Sequence, residues 1–138
     1  MKISFIGCKE SEASIFKELA KALSKRISGL ELAERFVPEV ADLPFVAMEC
    51  AKESDFVFVF AFAESAEQAA YVRDKLIDVE IATETRILKA VVEDEVSGTD
   101  EDSYNEAKDE LVKKYADLIV NILFNESEFE PKDRDFSI

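Results

Sequence analysis

The chain has 138 residues, enough for one domain with a sizeable core. Its 31 acidic and 17 basic residues leave a net charge of −14, which argues against nucleic acid and against anionic membranes, since both call for a basic face. With no histidine and only three glycines, it has no Ser-His-Asp or Cys-His centre, no GxGxxG turn and no Walker A loop.

Residues 3–6, ISFI, read as a first strand ending at Gly7. Ser11 to Ser28 reads as a helix, because Ile15, Leu19, Leu23 and Ile27 recur at helical spacing. Gly29 stops it. Residues 30–37 read as a second strand, closed by Pro38. Asp42 then reads as an N-cap with Pro44 in the first turn, opening a short helix that ends near Lys52.

The stretch FVFVFAFA (56–63) alternates in size. Phe56, Phe58, Phe60 and Phe62 fall on one face, and Val57, Val59, Ala61 and Ala63 on the other, since strand side chains alternate with period two. Apolar on both faces, it reads as the central strand of a covered parallel sheet. Its Phe face fills a thick gap, and its small face admits a helix at close range.

Ser65 and Gln68 have capping-box spacing and open a third helix to about Thr83. Its apolar residues, Ala69, Val72, Leu76, Ile77, Val79 and Ile81 among them, are broader than one stripe. Two readings are open: deep burial, or contact with another subunit. Residues 86–94 read as a fourth strand, 97–102 as a loop, and the segment from there to Phe124 as a last helix with Leu111, Tyr115, Leu118, Ile119 and Ile122 on one face. The expected organisation is one domain over 1–124 and a charged tail over 125–138 that is either disordered or clipped onto a neighbour through Phe129 and Phe136.

Strict β-α alternation predicts a three-layer α/β/α sandwich on a four-stranded parallel sheet, flavodoxin-like in type. Such sheets bind ligands beyond the carboxyl ends of their strands. No apolar run reaches the ~20 residues of a membrane span, and MKISFIGCKESE is too short in apolar residues for a signal peptide, so the cytoplasm is the expected location. Cys8 and Cys50 form no CxxC and read as free thiols.

FVPEVADLP (36–44) resembles a segment of the lumazine synthases and of the related archaeal riboflavin synthases. The likeness continues in order through the Asp55-led strand, Ala66-Glu67, VVEDE (91–95) and YADLIVNILF (115–124), and fits the archaeal riboflavin synthase branch better. It implies a sandwich of lumazine-synthase type, a homo-pentamer with sites between subunits, and no metal or organic cofactor. The implied reaction is dismutation of two 6,7-dimethyl-8-ribityllumazine molecules into riboflavin and a pyrimidinedione. It implies substrate contacts at Cys8, Lys9, Val40, Ala41, Ala63, Glu64, Ser65, Val92 and Lys108, and catalytic carboxylates at Asp42, Asp94 and Glu95.

Each candidate also has a plainer reading. Asp42 can be only a cap, Glu64 and Ser65 an acidic first turn, the 93–95 carboxylates a solvated turn, Cys8 an inert thiol and Lys108 a surface lysine. The chain departs from the family at Glu39, where the family has glycine after VP, and at Phe62-Ala63-Glu64, a strand end that carries glycine there. The loop Cys8-Lys9-Glu10 lacks the family's stacking aromatic, and Asp74-Lys75 stands near its His-Glu pair. The alternative is therefore a non-catalytic relative that binds a flavin-like ligand or serves as an oligomeric scaffold.

Overall fold

A computed structural model describes residues 1–8, 13–93 and 101–124, with side chains in the last segment from 105 onward. The elements in chain order are β1 (Lys2–Gly7), α1 (Ala13–Arg26), β2 (Glu31–Phe36), a 3-10 turn (Val40–Asp42), α2 (Leu43–Ala51), β3 (Phe56–Ala63), α3 (Ala66–Thr83), β4 (Arg86–Glu93) and α4 (Glu101–Phe124). The helix over 101–124 takes in residues 101 and 102, which read as loop in the sequence. The tail from 125 lies outside the described residues.

The four strands are all parallel, in the order β2-β1-β3-β4. Helices α1 and α4 pack together on one face, and α2 and α3 on the other. This is the expected three-layer, flavodoxin-like sandwich.

The size alternation of β3 sets the two cores. Phe56, Phe58 and Phe60 join Phe5 and Phe16 under α1 and α4, all fully buried. Phe58 sits at the centre, with ring centroids 5.8 Å from Phe5, 6.0 Å from Phe16 and 5.2 Å from Tyr115. The first two pairs are edge-to-face, which suits the ring quadrupole. Each such ring contributes about 1.5–3 kcal/mol by leaving water. On the other face Val57, Val59, Ala61 and Ala63 pack under α2 and α3.

The broad apolar set of α3 divides. Ala69, Val72, Leu76 and Val79 face inward, while Ile77 and Ile81 are exposed. Ser65 caps this helix as its spacing predicts, its Oγ accepting from Gln68 N–H at 3.1 Å. The return bond runs one residue further out: Gln68 Oε1 accepts from Glu64 N–H at 2.8 Å. The helix ends on Glu84 in the left-handed region, at φ 58°.

β4 is an edge strand, and α3 covers part of its open side. The Glu80 carboxylate accepts from Ile87 N–H at 2.8 Å and pairs with Lys89, whose Nζ also donates to the Ile87 carbonyl at 2.9 Å. Arg73 donates to the Val91 carbonyl. These side chains occupy backbone groups that another strand would otherwise pair with. The opposite edge, β2, is largely exposed and carries Glu31, Glu34 and Arg35.

Candidate functional site

Strand order decides what meets at the sheet's carboxyl end. With β1 between β2 and β3, the carboxyl ends of those three strands lie side by side. Val37 N–H donates to the Gly7 carbonyl at 2.9 Å, and Cys8 Sγ lies 3.8 Å from the Pro38 carbonyl oxygen. The 3-10 turn touches β3, and Cys8, Val37, Val40, Leu43 and Ala63 share one buried cluster. Cys8, Val40 and Ala63 are thus brought together as buried apolar support. Ala41, Asp42, Glu64 and Ser65 stand exposed above them.

Asp42 holds the N-cap position of α2, with Pro44 in the first turn as the sequence predicts, but its side chain makes no capping bond: its backbone is already helical and its carboxylate turns back to accept from Glu39 N–H at 3.2 Å. The 3-10 turn ahead of α2 causes this, because it makes Asp42 the third residue of one turn as well as the threshold of the next. A carboxylate has about four acceptor sites, and one hydrogen bond leaves capacity for a ligand hydroxyl. The Glu64 amide, by contrast, is engaged by Gln68 and is no ready donor to a ligand.

Val92 is elsewhere. It lies on the opposite sheet face, with α4, in a hollow lined by Phe60, Phe62, Glu93, Leu111, Lys114 and Tyr115. Lys108 is half-buried on α4 and does not line that hollow. Lys9, Asp94 and Glu95 fall outside the described residues. The candidates therefore form two groups, one on each face of the sheet. The second group's aromatic wall was missed in the sequence, where Phe60, Phe62 and Tyr115 read simply as core.

The two thiols are free and buried. Burial pushes Cys50 above the ordinary thiol value, against the opposing pull of Arg35 and a hydrogen bond with Ser4. Cys50 is at the amino end of the sheet, near the Ser4–Ser54 hydroxyl pair (2.6 Å), so it is not placed to act at the carboxyl end. Among the described residues no three Cys, Asp or Glu side chains group to hold a metal ion. No helix among them is long and apolar enough to cross a membrane.

No family model matches the chain, and no curated protein matches it.

Proposed function

We propose that the chain is a riboflavin synthase related to the archaeal enzymes of the lumazine synthase superfamily, dismutating two 6,7-dimethyl-8-ribityllumazine molecules into riboflavin and a pyrimidinedione. The observation that carries this reading is convergence. The carboxyl ends of β1, β2 and β3 adjoin at one end of a parallel sheet, and Cys8, Val40 and Ala63 share one buried cluster there.

The chemistry suits a chain without histidine. A four-carbon unit passes between two copies of one substrate, so the protein's main task is to hold two rings face to face. Asp42 is offered to the ribityl hydroxyls, with Val40 and Ala41 supplying backbone beside it. Asp94 and Glu95 are the proposed carboxylates for proton transfer. Glu64 and Ser65 form an exposed rim over the buried Cys8 and Ala63, Lys9 is a further proposed substrate contact, and Val92 and Lys108 are assigned to a neighbouring subunit's site. A pentamer needs apolar contact surface, and Phe45, Tyr71 and Ile81 on α2 and α3 are exposed.

Two observations favour the second reading, ligand binding without turnover. The Glu64 amide is engaged by Gln68, and Glu39 is an exposed anion where the family has glycine.

Incubation of the purified protein with 6,7-dimethyl-8-ribityllumazine tests both readings. The synthase reading expects riboflavin to form faster than in a protein-free control, and Asp42→Asn to slow it by roughly tenfold, the worth of one charge-assisted hydrogen bond. Binding without riboflavin supports the second reading. Neither binding nor turnover, or a monomer in solution, contradicts both.

A further inference from the structure

Two helices from opposite faces of the sheet flank the open edge of β4. Between them, alongside residues 85–89, runs a groove of about 730 Å³. Helix α3 lends it Arg73, Glu80, Ile81 and Glu84, and α4 lends it Ile122. Ile81 is 72% exposed, a large apolar side chain standing in water at the groove wall.

The groove is also locally basic. Arg73, Arg86 and Lys89 outnumber Glu80 and Glu84 there, in a chain whose net charge is −14. Lys89 is paired with Glu80, and Arg73 donates to the Val91 carbonyl. Arg86 and Glu84 stand exposed at the rim.

We propose that residues 125–138 of the same chain dock in this groove, with Phe129 seated between Ile81 and Ile122. Position is the first argument. Ile122 is part of the groove wall, and α4 ends two residues later at Phe124, so the chain leaves the helix beside the groove. At most ~3.6 Å per residue carries Phe129 up to roughly 18 Å from Phe124, and residues 85–89 span roughly 13 Å of strand. Size is the second: the groove falls within the roughly 300–1,000 Å³ of small-ligand sites, enough for an aromatic side chain and its neighbours. The third is sequence. Phe129 stands between Glu128 and Glu130. In an extended stretch, adjacent side chains point opposite ways. With Phe129 turned inward, both glutamates face the rim, where Arg86 is. Over 125–138, five acidic residues oppose two basic ones, which suits a groove with a basic excess.

Strand pairing is not needed for this docking. The Ile87 N–H and carbonyl and the Val91 carbonyl are already occupied by Glu80, Lys89 and Arg73. The docked segment is held by its side chains and completes the cover that those three begin over the β4 edge. Tethering gives it an effective concentration in the millimolar range, on the order of what short linkers supply, which favours the chain's own segment over that of a second copy. Ile81 is then covered within its own chain, and Phe45 and Tyr71 remain for contact with a neighbouring subunit. The groove lies beside the amino end of β4, away from Cys8, Val40 and Ala63, so the docking stands or falls apart from the synthase reading.

The test is disulfide trapping in the full chain, with each variant checked for a native thermal transition. Ile81→Cys combined with Phe129→Cys is expected to close a link within one chain under mild oxidation. The link is expected to form faster than in Glu67→Cys with Phe129→Cys, whose first position is exposed at the other end of α3. A second measurement needs no new thiol. Phe129→Ser in the ¹⁵N-labelled chain is expected to shift the amide resonances of Ile81 and of residues 85–89. Equal rates for the two thiol pairs, a link between chains (a second copy's segment in the groove), or amides that Phe129→Ser leaves in place overturns the proposal.

Discussion

Glu84 illustrates how a single residue can work against its position. It ends α3 in the left-handed region, where a Cβ meets the following carbonyl at a cost of about 1–2 kcal/mol. Glycine is the usual residue there. Glu84→Gly is therefore expected to stabilise the fold by roughly 0.5–1 kcal/mol, after the greater freedom of glycine in the unfolded chain is subtracted. Thermal denaturation checks this: a higher Tm is predicted, and an unchanged or lower one contradicts it. At this scale the sequence was readable where the chemistry is local. Ser65 caps Gln68 because both sit within one turn. Asp42 was placed correctly at the start of α2, but its missing capping bond was not readable, because the preceding 3-10 turn, which redirects its carboxylate to Glu39, leaves no periodic trace in three residues. The seat of Tyr115 was not readable either, since it depends on packing of α4 against β3, more than fifty residues away, at Phe58 and Phe60.

Among the elements, β3 and β4 make a useful contrast. The Phe/Val alternation of β3 announced a central strand with unlike faces, and the two cores follow it residue by residue. β4 read equally well as a strand, but its place at the edge was not evident from periodicity, which is silent on strand order. The clue was Lys89, a charge in the middle of an apolar run, as edge strands often carry. Its partner Glu80 is on α3, and the pair is about four-fifths buried. Removing both in Glu80→Ala with Lys89→Ala strips the cover from the Ile87 N–H and carbonyl. The double variant is expected to form a larger assembly than the wild type at the same concentration, by pairing at the bared edge. Sedimentation velocity decides this, and an unchanged mass across the concentration range contradicts the protective role of the pair.

For the whole molecule, β-α alternation made the layered architecture legible, while the site was legible only in part. The β1, β2 and β3 ends come together because β1 lies between the other two, a fact of topology that no local motif contains. Val92 stands at the carboxyl end of β4, as the sequence placed it, but on the other face of the sheet, beside α4. The acidic surface, with a net charge of −14, keeps polyanions away but is compatible with neutral ring ligands. The central claim is that the carboxyl end of the sheet, between β2 and β3, holds a ribityllumazine. It is tested most directly by titrating the ¹⁵N-labelled protein with 6,7-dimethyl-8-ribityllumazine and following its amide resonances. Shifts are expected to concentrate at Cys8, Val40 to Asp42, and Ala63 to Ser65; an unchanged spectrum, or shifts confined to other parts of the chain, would contradict a ribityllumazine site there.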